Sequence, residues 1–204
     1  DQLRRAERKN RDAFRRMMED HISDGTFTAK TLWRDYCQHV KNSEAYEGVA
    51  SNIYGSTPKD LFEEVAEELE KKYDEDKAFI KDFLKQEKIT IASSLTFEVF
   101  KSDIMDSVSF ASISDTNMKL VYEDLIDRAK EKEEKEAKKL KRLAKDFTDM
   151  LSSIKEIDAL STWEDCKELV EDSSEYRAMG EESHCKEIFE EYISWVQEKA
   201  KEKV

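Results

Sequence analysis

Apolar residues recur at helical spacing along most of this chain, and most tellingly between Ser114 and Ile154. Val121, Tyr122, Leu125, Ile126 and Ala129 make one stripe; Leu140, Leu143, Ala144, Phe147, Met150, Leu151 and Ile154 make a second. Between the stripes, about ten residues are nearly all Glu, Lys and Ala. A helix that is polar all round has nothing to pack on and usually bridges two packed units. Glu131–Lys135 and Glu134–Lys138 are i,i+4 pairs, each adding roughly 0.2–0.5 kcal/mol. With no Gly or Pro in the stretch, it reads as one helix that closes one bundle and opens the next. At 1.5 Å per residue it would span roughly 60 Å. It lacks the three or four heptads of a coiled coil, so a solvated single helix is expected.

Comparison of the chain with itself shows three copies of one pattern. Trp33-Tyr36-Val40, Phe97-Phe100-Ile104 and Trp163-Cys166-Val170 all follow i, i+3, i+7. Thirteen residues after each first position comes another aromatic: Tyr46, Phe110 and Tyr176. A longer helix follows in one register: Leu61-Phe62-Val65-Ala66-Leu69, Val121-Tyr122-Leu125-Ile126-Ala129 and Ile188-Phe189-Tyr192-Ile193-Val196. Ahead of each copy stands Phe14-Met17-Met18, Ile80-Phe83-Leu84 or Phe147-Met150-Leu151. In the middle copy Ile80 is preferred to Phe79, because only Ile80 gives the i, i+3, i+4 triplet. The period is therefore 66 and then 67 residues.

The fold class expected is all-α: three tandem three-helix bundles over 1–70, 71–130 and 131–204, joined by continuous helices through 57–87 and 114–154. Three amphipathic helices can bury their stripes together where one alone cannot. Each unit, at about 60 residues, is near the lower limit for a self-standing core. Four large residues should dominate each: Phe14, Trp33, Tyr46 and Phe62; Ile80, Phe97, Phe110 and Tyr122; Phe147, Trp163, Tyr176 and Phe189. Ser56-Thr57-Pro58 before Asp60 looks like an N-cap with Pro at the first helical position. Gly25, Gly48, Gly55 and Gly180 fall in predicted loops, as does Lys88–Leu95.

Composition agrees with an all-helical chain: of 204 residues 41% are charged, with 4 Gly and 1 Pro. Net charge is −13, which argues against non-specific nucleic-acid binding. The exception is local. Residues 1–16 hold Arg4, Arg5, Arg8, Lys9, Arg11, Arg15 and Arg16. Arg4, Arg8, Arg11 and Arg15 follow i, i+4, i+7, i+11 and form a stripe beside the core-facing Phe14, Met17 and Met18. They are candidate contacts for acidic or phosphorylated peptides, because the planar guanidinium can donate two hydrogen bonds to one anion. Lys138, Lys139, Lys141, Arg142 and Lys145 make a weaker second candidate. The plain alternative for both is a solvated helix face.

No catalytic or metal pattern emerges. His21, His39 and His184 are isolated, and Cys37 and His39 lie on different helical faces. Three unpaired Cys (37, 166 and 185) fit a reducing compartment. No run of about 18 apolar residues exists, and the charged start reads as part of a longer protein. Thr57-Pro58 has the form of a proline-directed phosphorylation site, though a helix cap accounts for the same residues.

The three-part pattern resembles the FF domain, a unit of about 60 residues named for two Phe residues. Those positions match Phe14 and Phe62, and Phe147 and Phe189; the middle copy departs with Ile80 and Tyr122. RKNRDAF, GSTPKDLF, KKYDEDKAFIKDFLK and WEDCKELV, in that order, resemble FF repeats of U1 snRNP-associated splicing scaffolds. FF-bearing transcription elongation regulators are the nearest alternative. The resemblance implies three helices with a short 3₁₀ turn between the second and third; from the residues, no cofactor is expected. The resemblance also implies a nuclear, non-enzymatic scaffold bridging splicing factors and the phosphorylated tail of RNA polymerase II. An RNA-contacting module using the basic first helix is the other function class kept open, against which stand the overall acidity and the lack of an RNP-like motif.

The middle copy has the weakest pattern, with Ile80 at the first aromatic position and a Ser-rich stretch at Ser107–Ser114. It should be the least stable of the three, with its second helix opening first in hydrogen exchange. Faster exchange in the second helix of the first or third copy would contradict this.

Overall fold

The computed structural model describes residues 1–105 and 112–203; Phe110, expected in the second core, lies outside the described residues. All regular structure among them is helical: α1 (Gln2–Ser23), α2 (Trp33–Val40), α3 (Glu44–Ala50), α4 (Pro58–Gln86), α5 (Phe97–Met105), α6 (Asp115–Ser153), α7 (Trp163–Val170), α8 (Ser174–Met179) and α9 (Glu182–Glu202). Both long helices are continuous, and residues 130–142 of α6 are exposed on every side.

Local chemistry sets the helix boundaries. Thr57 caps α4 with a full capping box: its hydroxyl accepts from the Asp60 N–H at 3.1 Å, and the Asp60 carboxylate accepts from the Thr57 N–H at 3.0 Å. Pro58 at the first helical position loses no hydrogen bond by lacking an N–H. At the other end Lys88 adopts φ 54°, and the Ile89 N–H reaches back to the Leu84 carbonyl at 2.9 Å, closing the helix as a Schellman motif. Ser43 and Ser173 cap α3 and α8 alike, each hydroxyl accepting at 3.1 Å from the N–H of Tyr46 or Tyr176.

The expected 3₁₀ turn is instead a short α-helix at both described positions. Glu47 N–H bonds the Ser43 carbonyl at 3.1 Å and Arg177 N–H bonds that of Ser173 at 3.3 Å, both i+4 to i. Gly48, expected in a loop, lies within α3. Its missing side chain makes room for Asn10, whose Oδ1 would stand 3.2 Å from a Cβ there.

Three hydrophobic clusters form the core. The first joins Phe14 and Met18 to Phe27, Tyr36, Val40, Val49, Leu61 and Phe62. The second joins Tyr73, Ile80 and Leu84 to Phe100, Ile113, Met118 and Val121. The third gathers Phe147, Leu151, Ile157, Trp163, Cys166, Val170, Met179, Cys185, Phe189 and Ile193. The chain divides into two compact units, Asp1–Asp127 and Arg128–Val204. The first two clusters therefore share one unit rather than forming separate bundles. Ala29 packs on the second cluster, and Lys30 Nζ sits 4.5 Å from the centre of the Tyr73 ring.

The core differs from expectation in who is central. Phe14, Phe62, Ile80, Phe147, Trp163 and Phe189 are buried, whereas Trp33, Tyr46, Phe97, Tyr122 and Tyr176 are only partly so. Tyr36 and Phe100, one turn into α2 and α5, take the inner place, and Phe27 enters from the α1–α2 connection. Leu140, counted in an apolar stripe, is 45% exposed because it precedes the turns of α6 that reach the third cluster. Phe79 is 44% exposed while Ile80 is fully buried, so the i, i+3, i+4 triplet finds the core-facing residue.

The capping box makes stability pH-dependent in a defined direction. The Thr57 backbone N–H, and then its side chain, hold the Asp60 carboxyl below the ordinary carboxylate value. A depressed folded pKa stabilises fully above about pH 4, where the unfolded carboxyl is ionised, and that stabilisation is lost as pH falls through the folded value. The melting-temperature gap between the parent and Asp60→Asn should therefore be constant above about pH 5 and close below about pH 4. A gap that stays unchanged on acidification would contradict the assignment.

Candidate interaction surface

The basic stripe of α1 is positioned by the residues that anchor the helix. Phe14 and Met18 are fully buried, which fixes the rotation of α1 and turns Arg4 and Arg8 outward, where both are exposed. Neither forms an ion pair with a described residue. Arg11 is half-buried, its guanidinium against Gly55. Arg15 is not free as expected: it lies 3.7 Å from Asp12 and 3.8 Å from Glu64. At that range and exposure the pairs hold it weakly, by about 0–1 kcal/mol, but they reduce the charge it offers a ligand. The usable stripe is therefore Arg4, Arg8 and Arg11, with Arg15 a conditional member.

Next to the stripe is a polar network that sequence reasoning missed. Glu7 is only 5% exposed. Its carboxylate accepts from the backbone N–H of Ile53 at 2.5 Å and of Tyr54 at 3.2 Å. Asn52 Nδ2 donates to the Glu7 carbonyl at 3.1 Å. Asn10 Nδ2 donates to Asn52 Oδ1 at 2.9 Å and to the Gly48 carbonyl at 3.1 Å. The α3–α4 connection is thus stitched to α1. A signal was available: Glu7 and Asn10 are the polar residues at i−7 and i−4 from the buried Phe14, on its side of the helix.

The second cluster, Lys138, Lys139, Lys141, Arg142 and Lys145, is wholly exposed and forms no ion pair among the described residues. Lys138, Lys141, Arg142 and Lys145 follow i, i+3, i+4, i+7 and share a face. This cluster leads into Phe147 as the first leads into Phe14.

The groups that might carry other chemistry have structural partners. His21 Nδ1 is 2.8 Å from the Tyr36 hydroxyl, and the two histidine rings of His21 and His39 lie 5.1 Å apart. Burial pushes the Tyr36 hydroxyl pKa up. Cys166 and Cys185 are buried in the third cluster, and burial also raises the Cys185 thiol, the opposite of what a nucleophilic thiolate needs. Among the described residues no group of three or more His, Cys, Asp or Glu is arranged to hold a metal ion, and no helix is long and apolar enough to cross a membrane.

Comparison with known families finds the FF domain in two stretches of the chain. A family model described as "PRPF40A-like, FF domain" matches residues 72–131, and one described as "FF domain" matches residues 142–192. The two spans cover more than half of the chain. The chain belongs to the FF-domain family. The first match falls on the copy in which Ile80 and Tyr122 replace the two Phe residues, so FF identity there rests on the remaining pattern. The chain is also similar to the WW domain-containing protein ZK1098.1 of Caenorhabditis elegans, 28% identical over 189 residues, which are 91% of this chain and 26% of that protein. The chain thus spans about a quarter of that relative's length.

The Glu7 network supports a mutational expectation. Glu7→Ala leaves two backbone N–H groups without their acceptor and should destabilise the first unit by about 1–3 kcal/mol. Chemical denaturation followed by tryptophan fluorescence at Trp33 would measure it. A change below about 0.5 kcal/mol would show that water replaces the carboxylate at no cost.

Proposed function

We propose that this FF region is a non-catalytic scaffold that binds short acidic or phosphorylated segments of nuclear proteins in pre-mRNA splicing. The single observation behind the reading is the concentration of exposed arginine on α1 in a chain of net charge −13. We read the three hydrophobic clusters as three FF bundles, the first two sharing a compact unit. Both basic clusters stand chiefly in the turns before the first core aromatic of a copy, at Arg4–Arg11 before Phe14 and Lys138–Lys145 before Phe147. Such repetition suits a ligand held at several weak points. The "PRPF40A-like" family name motivates the splicing context, a nuclear location and the candidate partners: U1 snRNP-associated splicing factors and the phosphorylated tail of RNA polymerase II, which the scaffold would bridge.

Each exposed charge contact contributes roughly 0–1 kcal/mol, so affinity should depend on several contacts or several repeats acting together. Arginine suits the task because its fork matches carboxylate and phosphate oxygens in pairs. Direct RNA binding is disfavoured by the net negative charge.

The test replaces Arg4, Arg8, Arg11 and Arg15 with Ser and titrates parent and variant with a phosphorylated polymerase-tail peptide and with acidic splicing-factor peptides. Binding by the parent should weaken as salt rises from about 0.1 to 0.5 M, and the variant should lose at least tenfold. Equal binding by both would remove this surface and leave the Lys138–Lys145 cluster. No binding by the parent would leave only a spacer role.

A further inference from the structure

Ile53 and Tyr54 are 72% and 68% exposed, adjacent in sequence, and among the most exposed large apolar residues of the chain. They lie in the α3–α4 connection, a segment held by several hydrogen bonds to α1. The N–H groups of these two residues are the ones bound by the buried Glu7 carboxylate. Asn52, immediately before them, is bonded to Glu7 and to Asn10 through its side chain and to the Val49 carbonyl through its N–H at 3.0 Å. Gly55, immediately after, turns the chain at φ 86° against the Arg11 guanidinium, whose Nη1 would stand 3.0 Å from a Cβ. Thr57 then locks the exit with its capping box.

Two large apolar side chains left in water on a fixed backbone gain nothing from folding and keep their apolar area available to a ligand. The fixed backbone also suits an anchor, because its ordering entropy is already met before a ligand arrives. The charge around the pair identifies what the ligand carries. Arg11 touches the loop, and Arg8 and Arg4 continue the same stripe of α1 one and two turns away. We propose that Ile53 and Tyr54 form an apolar subsite that, with Arg4, Arg8 and Arg11, selects acidic segments bearing a large aliphatic side chain. In this arrangement the arginines hold the carboxylates or phosphates, and the loop covers the apolar residue between them. Glu7 acts as a positioning residue: it fixes the loop without touching the ligand. The inference rests on the acidic-peptide reading above and adds a selectivity that charge alone does not supply.

The experiment compares two fluorescent peptides of alternating Asp and Glu, one with a single central leucine and one with serine in its place. The parent chain should prefer the leucine peptide by about tenfold, the size expected for burying much of one leucine side chain. Ile53→Ser with Tyr54→Ser alters only exposed positions, so the fold should hold, checked by an unchanged melting temperature. That variant should bind both peptides as the parent binds the serine peptide. Arg4, Arg8 and Arg11 replaced by Ser should weaken both peptides together. Equal binding of the two peptides by the parent, or a leucine preference that survives in the Ile53/Tyr54 variant, overturns the subsite while leaving the acidic-peptide reading intact. Failure of the parent to bind either peptide overturns both.

Discussion

The ring at one register of the long helix that ends each copy is the contact around which each hydrophobic cluster is arranged. In the first, Phe62 lies 4.8 Å from Phe27, 5.3 Å from Trp33 and 5.3 Å from Tyr36, centroid to centroid. In the second, Tyr122 takes the place, 5.5 Å from Phe97 and 5.4 Å from Phe100, and its hydroxyl donates to the Leu95 carbonyl. In the third, Phe189 meets Trp163 at 5.6 Å. A unit of about 60 residues has few side chains with which to fill its centre. One large ring packed on the aromatics of the preceding short helix helps meet that need at a single position. Ring pairs of this kind are worth roughly 0.5–1.5 kcal/mol beyond their buried area.

Volume compensation around that ring explains where reading from sequence succeeded and where it did not. The helical periods, the two long helices and the repeat spacing follow from stripes of Leu, Ile, Phe and Val, and these were legible. Which aromatic of α2, α5 or α7 is innermost was not. Trp33 is partly displaced because Tyr36 and Phe27 already fill the space; Trp163 is buried because its partners there are the smaller Cys166 and Ile157. Phe27, Ile91 and Ile157 each stand six residues before the first aromatic of a copy and pack on its core from a connection. A single residue in a loop has no period, so pattern reading passes over it. Gly48 misled for the related reason that its helical place depends on Asn10, 38 residues away.

The candidate site was legible only in its charge. The arginine stripe is periodic and was readable; its partial neutralisation at Arg15 is a tertiary event involving Glu64 of α4. The tie between the first helix and the entry to the third was invisible, yet it recurs. Asn10 and Asp76 are 66 residues apart and do the same work: Asn10 reaches Gly48 and Asn52, while Asp76, 3% exposed, accepts from Asn117 at 2.9 Å and from Lys72 at 2.9 Å. In the third copy the equivalent position is Leu143, which packs on the core. A polar tie fixes the chain path more narrowly than an apolar contact, because a buried polar group tolerates few partners. The first copy holds the segment leading into α4 by directed bonds and presents Ile53 and Tyr54 to solvent from it, and the second ties the first turn of α6 in the same manner.

Charge places a last constraint on how such a surface can work. A chain of net charge −13 repels an acidic ligand at long range, so the arginines cannot act chiefly by steering. Screening separates the two effects. At about 0.1 M salt the Debye length is about 10 Å, so acids on distant faces are already largely masked while an arginine in contact with an anion is not. Attraction therefore exists only close to a basic cluster such as that of α1, where a ligand must approach by diffusion and be held by short-range contacts. Three guanidinium groups with weak individual pairing give little discrimination among acidic segments. In the proposed subsite the apolar pair beside the stripe would add a contact that salt does not screen. On the reading proposed above, selectivity would lie with the loop that Glu7 holds, and affinity with the number of charged contacts made beside it.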